Sequence, residues 1–278
     1  VTGDVERLRE WARLLPIFYE RKIIMADLQI MDRFKTNYEI PARHFLMKRM
    51  PVLIRCDGSA FHGLTKKIHA EKPFDMTVNL AMQDATIALC KKFSAIFGYF
   101  QSDEISILLL DDKTFETQAI FDNEINKLVS ISASTASVAF NKVIDCEATF
   151  DSRAFNVPNN EVVNAFIARQ IDAARNAKNI WSECLLGQKV GMGTARKMLH
   201  GLKAGKRVEL TEKETGLVFD QVRNIYRVGG EVIKYETEDG RKEWRLNAET
   251  PWYISDRQHI VDMIQNYYGE GVDVSSYG

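Results

Sequence analysis

Val52-Leu53-Ile54-Arg55-Cys56-Asp57-Gly58 and Gly98-Tyr99-Phe100-Gln101-Ser102-Asp103-Glu104 are two apolar runs that each end on a carboxylate. Val52 to Ile54 predicts the core of a short strand. Asp57 falls where that strand stops, and Gly58 lets the chain turn sharply close to a ligand. Ala95 to Phe100 and Ile105 to Leu110 read as two strands joined by a tight polar connection, so Asp103 and Glu104 stand near a hairpin tip. If the first strand lies beside that hairpin, Asp57 and Asp103 face one pocket. Two carboxylates beside a backbone carbonyl suit Mg²⁺, which takes hard oxygen ligands and keeps several from water and phosphate. Asp-Gly is also a common turn dipeptide, so solvated turn residues are the competing reading. A plain turn does not need the Ser59-Ala60-Phe61-His62-Gly63 that follows, or the Lys66-Lys67 pair.

Working outward, residues 57–72 read as a loop, and Pro73 opens a helix of some twenty residues with Met76, Leu80, Ala81, Ala85, Ala88, Leu89 and Phe93 as its buried stripe. Asp122 to about Asn141 is the next helix, with acid in its first turn. Its small hydroxylated middle, Ser130 to Ser137, suits close packing on a sheet or contact with nucleic acid. Cys146 to Val157 is a fourth strand. The order strand, helix, strand, strand, helix, strand predicts an α+β, ferredoxin-like βαββαβ arrangement. Its helices pack on one face of an antiparallel sheet and leave the other free, with Asp57 and Asp103 coming from the two central strands.

On the N-terminal side, residues 4–22 read as a helix, Met25 as a candidate original start, and residues 25–48 as a helix and a loop. Beyond the fourth strand, Pro158 starts a long helix to about Leu186 bearing Arg169, Asp172, Arg175, Asn176 and Lys178. Such polar groups on one helix face also read as a solvated face. Residues 187–207 are rich in glycine and base, with Lys189, Arg196, Lys197, Lys203, Lys206 and Arg207. The pattern lacks GxxxxGK[ST] and reads instead as a flexible basic segment near a phosphate backbone, with at least one short helix around Thr194 to Leu202. A short helix follows over 211–219. Ile225 to Val228 and Glu231 to Tyr235 read as a hairpin, Glu238 to Arg241 as a second turn, Asp256 to Tyr268 as a last helix, and Gly269 to Gly278 as a frayed tail.

With 278 residues, 45% of them hydrophobic and 27% charged, the chain can bury a core without disulfides. Cys56, Cys90, Cys146 and Cys184 lie far apart with no CxxC, which argues against a zinc site or a disulfide framework and for a reducing, cytoplasmic setting. No run is long and apolar enough for a membrane span. The formal net charge is −1, so any nucleic-acid surface must concentrate its bases on one side.

The ordered motifs resemble the tRNA-His guanylyltransferase family and its 3′–5′ polymerase relatives. Arg55-Cys56-Asp57-Gly58-Ser59-Ala60-Phe61-His62 is similar to that family's R-x-D-G-x-x-F-H, and Lys72-Pro73-Phe74-Asp75 to its K-P-x-D. Tyr99 to Ser106 is similar to Y-x-Q-S-D-E-x-S, and Arg169-Gln170-Ile171-Asp172 with Asn176 to R-Q-x-D…N. Residues 25–39 resemble its start, and the match runs in order over about residues 25–235.

The resemblance implies a polymerase-like palm that adds nucleotides to the 5′ end of tRNA. ATP would activate the 5′-monophosphate before the 3′-hydroxyl of GTP attacks. It implies two Mg²⁺ ions on Asp57, Asp103 and the Gly58 carbonyl, with Glu104 as a supporting acid. Ser59, Ala60, Phe61, His62, Ser102 and Lys67 would hold a nucleotide. Asp172, Arg175 and Asn176 would place a second nucleotide or the tRNA end, and a tetramer is implied.

Candidate tRNA contacts are Arg169, Lys178, Lys189, Arg196, Lys197, Lys203, Lys206 and Arg207. Ala174 stands where the tRNA-His enzymes carry the His of H-I-N-N-L-Y-N, which favours relatives that repair truncated 5′ ends. Ile68 likewise replaces a common His. The expected layout is an extension over 1–24, a palm-like catalytic domain with its supporting helix over 25–186, and a basic region with a small hairpin over 187–278 packed on it. A palm-type nucleotidyl cyclase, another nucleotidyltransferase on a non-tRNA substrate, or a non-catalytic RNA-binding protein are the alternatives.

Overall fold

The computed structural model describes residues 27–247 and 249–278. The reading of 4–22 as a helix, and of Met25 as a start, falls outside them. The chain divides into two units at His44 and Phe45. In the first, residues 27–34 are helical (α1) and run into a π-helical turn, Lys35–Glu39, and a 3-10 turn, Ile40–Ala42.

The second unit is built on one six-stranded antiparallel sheet. Its strands are β1 (Val52–Gly58), β2 (Gly98–Gln101), β3 (Glu104–Leu109), β4 (Phe150–Asn156), β5 (Gly230–Glu236) and β6 (Lys242–Asn247). They lie in the order β4-β1-β3-β2-β5-β6. Alternation along the strands divides the residues between two faces. Val52, Ile54 and Cys56 join a core made with α3 (Met76–Phe93) and α4 (Ile125–Val143). Leu53, Tyr99 and Leu108 join a second core with the long helix α5 (Asn159–Val190) and the last helix, α9 (Gln258–Tyr268). The second face is therefore covered at one end and not free as the pattern predicted. The long apolar stripe of α5, with Val162, Val163, Phe166 and Ile167, covers it there.

The strand and helix order from β1 to β4 is the one predicted, with three local differences. A short helix, α2 (Phe61–Lys67), replaces the loop expected after Gly58. Asp75, not Pro73, opens α3: its carboxylate accepts from the Val78 amide at 2.8 Å and from the Glu71 amide at 2.7 Å. β4 begins at Phe150, later than the hydrophobic run suggested. The small residues of α4 serve packing. Ser132 and Ala136 are buried, and Ser132 Oγ lies 2.7 Å from Ser152 Oγ on β4.

The C-terminal third departs further. The basic segment holds the short helix expected within it, α6 (Met192–Leu199), but it is packed rather than flexible: a second helix, α7 (Ala204–Thr215), follows, and Leu186 of α5 shares a small core with Ala195 and Leu199. Thr215 ends α7 where a helix over 211–219 was expected. Asn224–Val228 forms a helical turn (α8) rather than a strand. The hairpin instead joins β5 to β6 across Glu238 to Arg241, and β5 pairs with β2. The tail is anchored: Val274 and Tyr277 are buried, and the Tyr277 and Tyr268 hydroxyls lie 2.9 Å apart.

Candidate active site at the sheet rim

The strand register builds the site. Asp57 on β1 stands opposite Glu104 on β3 and Asp151 on β4, and Gln101 stands opposite Glu104. These four form one row across the end of the sheet. Behind it a second row runs Tyr99, Ser106, Arg55, Arg153. Both rows share the face of Leu53 and Leu108, at the end that the apolar stripe of α5 leaves uncovered.

Asp103 sits just beyond the first row, in the two-residue connection between β2 and β3, and not on a central strand as predicted. Ser102 takes positive φ there (51°), and the hairpin tip folds against β1: the Gly58 amide donates to the Asp103 carbonyl at 2.9 Å. That bond ties the two predicted metal-binding acids to one another.

The acids are held against their own charge. Burial pushes the Asp103 carboxyl above its usual range, and the nearby Asp57 adds to it. Burial also raises Glu104, offset by the Arg169 and Arg55 guanidiniums. Arg169, from α5, donates to Glu104 Oε2 at 3.1 Å, while the buried Oε1 has no hydrogen-bond partner. Among the described residues no basic side chain lies within ion-pair distance of Asp57 or Asp103. Asp151 is paired with Arg153 at 3.1 Å.

Gly58 matters for space more than for the turn that was predicted. A Cβ there would stand 2.3 Å from the Phe61 ring, which is wedged edge-on against Phe140 and Phe150 at 5.2 Å. Ser59, Ala60 and His62 are exposed at the start of α2, while Phe61 is a core side chain. The first amides of a helix have no intrahelical acceptor and face outward for a ligand. Lys67 is exposed at the far end of α2, in a groove with Asp145 and Glu147.

Further along α5, Asp172 accepts from Arg175, its closest partner, and lies 3.5 Å from Asn176 Nδ2. Lys178 is half-buried on the same helix. The other basic candidates are not beside the carboxylates. Lys189 is about 30 Å along the helix from Arg169 by helical rise, and Arg196, Lys197, Lys203, Lys206 and Arg207 lie on or beside α6 and α7. Three of them meet acids: Lys189 with Glu214 at 3.6 Å, Arg196 with Glu183 at 2.7 Å and Lys206 with Glu209 at 2.6 Å. Arg207 donates to the Leu202 carbonyl.

Sequence reasoning missed Asp151, Gln101 and the row of Arg55 and Arg153 as parts of this rim. Their signal was present in the period-two alternation of β1 and β4, once the pairing of those strands is known.

A family model for tRNAHis guanylyltransferase matches residues 31–158. The fold is similar to a bacterial tRNA(His) guanylyltransferase-like protein solved in complex with ATP: 32% identity, TM-score 0.75, covering 84% of this chain and 98% of that one. A structure of such a protein with GTP matches with a TM-score of 0.69 at 32% identity, covering 85% of this chain and 99% of that one. Among curated proteins, tRNA(His) guanylyltransferase of Schizosaccharomyces pombe is 29% identical over 66% of this chain and 73% of its own length. For tRNA(His) guanylyltransferase 2 of Arabidopsis thaliana the identity is 27%, over 69% of this chain but only 37% of the plant protein. An antiparallel sheet with an acidic rim, and these likenesses, define an enzyme of the guanylyltransferase class. The chain belongs to the tRNA(His) guanylyltransferase family.

Proposed function

We propose that this protein is a Mg²⁺-dependent nucleotidyltransferase that adds GTP in the 3′–5′ direction to the 5′ end of tRNA, after activation of the 5′ phosphate with ATP. The observation that carries the reading is the tie between Asp57 and Asp103, two acids without a basic partner among the described residues, joined through the Gly58 amide and the Asp103 carbonyl at 2.9 Å. The sheet order β4-β1-β3-β2 with α3 and α4 on one face supports a ferredoxin-like palm.

The donor set fits Mg²⁺. Among the described residues no three His, Cys, Asp or Glu side chains are grouped to hold an ion by themselves, but Mg²⁺ binds through one or two carboxylates and completes its shell with water and phosphate. Asp57, Asp103 and the Gly58 carbonyl would hold the ions. Bound there, Mg²⁺ supplies activation of the attacking oxygen and charge stabilisation on pyrophosphate.

The chain's own groups do the rest. The amides of Ala60 to His62, the hydroxyls of Ser59 and Ser102, and Lys67 receive a triphosphate, with Lys67 acting as a point charge, while the Ser59 amide is held by the Thr149 carbonyl at 2.8 Å. Arg169 holds the Glu104 carboxyl beside the acids and works against the burial that raises it. Asp172, Arg175 and Asn176 place the second nucleotide or the RNA end. Lys178, Lys197 and Lys203, along with the paired bases of α6 and α7, follow the tRNA backbone. Ala174 is buried, so this position presents no reader to a tRNA, which supports templated 5′-end repair over strict tRNA-His recognition. Four unpaired cysteines support a cytoplasmic setting, and a tetramer is carried over from the family resemblance.

The test is incorporation of labelled GTP, with Mg²⁺ and ATP, into two 5′-monophosphate tRNAs: tRNA-His without its extra 5′ G, and a tRNA missing its first paired nucleotide. Labelling of the truncated tRNA alone establishes the repair activity. Preference for tRNA-His moves the assignment to the tRNA-His branch. Consumption of nucleotide with neither tRNA labelled overturns the reading in favour of a cyclase.

A further inference from the structure

Behind the acid row, a cavity of about 210 Å³ lies between the sheet and α5. Its sheet wall is Leu53 and Arg55 of β1, Ser106 of β3 and Phe155 of β4, and its helix wall includes Phe166 and Arg169. Leu53, Ser106 and Phe166 are buried, whereas Ala168 on the helix wall is exposed, so the cavity reaches solvent.

The half-buried Arg55 guanidinium makes no hydrogen bond or ion pair among the described residues. Neither does the hydroxyl of Ser106, a residue only 6% exposed. Arg169 gives one N–H to Glu104 Oε2 at 3.1 Å, which leaves the other donors of its fork. Two planar guanidiniums beside a hydroxyl match a phosphate, which arginine grips through paired N–H groups. The rest of the lining, Leu53, Phe155 and Phe166, is apolar and suits the carbons of a sugar.

Size and place narrow the ligand. Pockets for whole small molecules start at ~300 Å³. At about 210 Å³ the cavity takes one end of a larger ligand, a phosphate with its sugar, and not a complete nucleoside triphosphate. Alternate residues of a strand lie ~7 Å apart on one face, so Arg55 stands one step behind Asp57. The helix α2, where a triphosphate is received, lies on the other side, with its Phe61 in the core of α3 and α4. The acids thus stand between two phosphate seats, one toward each face of the sheet.

We propose that this cavity seats the 5′-terminal phosphate and ribose of the RNA acceptor, with Arg55 and Ser106 as its phosphate contacts and Arg169 reaching both it and Glu104. The inference rests on the reading of the chain as a nucleotidyltransferase acting on tRNA 5′ ends. It separates the acceptor's seat from that of the incoming triphosphate, and it leaves Asp172, Arg175 and Asn176 to the second nucleotide.

The test compares binding of one truncated tRNA in two forms, with a 5′-monophosphate and with a 5′-hydroxyl. Mg²⁺ is present and nucleoside triphosphates are omitted, so nothing reacts. The parent protein is expected to prefer the phosphorylated form by about tenfold. Arg55→Gln removes that preference and leaves affinity for the 5′-hydroxyl form and for GTP unchanged. A parent protein without the preference, or a variant that keeps it, overturns the proposal. So does a variant that loses GTP affinity instead, since the cavity then belongs to the triphosphate seat. Equal loss of both RNA forms also overturns it and makes Arg55 a general RNA contact. If Arg55→Gln does not fold, Ala165→Leu fills the cavity from the α5 side without altering charge. It is expected to remove the preference too, and a retained preference overturns the proposal. The two readings fail separately. Absence of labelling on either tRNA refutes nucleotidyl transfer, whereas a missing 5′-phosphate preference with labelling intact refutes the cavity alone.

Discussion

The sheet rim and the α6–α7 end of α5 treat charge in opposite ways. At the rim, Asp57 and Asp103 have no basic side chain in reach among the described residues, and burial works against the ionised Asp103. At the helical end, Lys189, Arg196 and Lys206 each meet an acid of the same protein. Those three bases are answered within the chain, whereas the rim holds charge that the fold itself does not answer. A run of basic residues in the sequence therefore overstates the charge on offer to RNA, and two scattered acids understate the demand at the rim.

The largest expected effect tests the rim. Asp57→Asn or Asp103→Asn cuts nucleotide addition by about a thousandfold or more in single-turnover assays, yet Asp103→Asn melts above the parent protein. Because the folded carboxyl is raised, the folded state binds more protons than the unfolded one. Parent stability therefore falls as pH rises from the ordinary carboxylate value through the raised one. The Tm gap between the variant and its parent widens over that interval. A variant that melts lower throughout would break the contrast between the two regions.

Next in size, Arg169→Ala strands Glu104, which is 12% exposed, and costs about 2 kcal/mol in urea unfolding. Arg196→Ala, which removes an exposed guanidinium from a half-buried partner, stays within about 0.5 kcal/mol. Equal losses would mean that the rim pair is no more buried in effect than the surface one.

A smaller change is expected at His259. The hydrogen bond to Glu231 raises its imidazole, against burial. The stabilisation is complete below the unfolded value and is lost as pH rises through the folded one. Calorimetry on His259→Gln is expected to show that pH dependence gone. The smallest effects separate bases that meet no acid among the described residues from paired ones. Lys197→Ala and Lys203→Ala each weaken tRNA binding a few-fold and lower the salt slope by about one in filter-binding titrations, while Lys189→Ala and Lys206→Ala change both by less.

The first four strands and the helices between them were legible because each carries a clean local pattern: Val52 to Ile54, the buried stripe of α3, the apolar run after Glu104. The acids Asp57 and Asp103 were legible as a pair because motif order constrains them together. What failed was long-range. Nothing local says that α5 folds back over the second sheet face, or that Val232 belongs beside β2 and not in a hairpin with Val228. Local turn chemistry misled there: Gly229-Gly230 looks like a hairpin turn, but Gly229 has φ of 84° and ends a helical turn just before β5. The frayed tail was a reasonable reading of glycine and serine, and it failed because Tyr277 finds a core to enter.

The 32 residues of α5 form one uninterrupted helix, and that continuity makes it a ruler. Arg169 at the rim and Glu183, which holds Arg196, are separated by a fixed span of ~20 Å from helical rise. The reach between the acids and the basic helices is thus written in residue count rather than in a hinge. Inserting a single residue between Gln170 and Glu183 would lengthen that span by only ~1.5 Å but swing α6 and α7 by ~100°. An RNA gripped there would then be aimed away from the acids, and Leu185, which follows the insertion, would be turned out of the cluster it shares with Phe74 and Phe219.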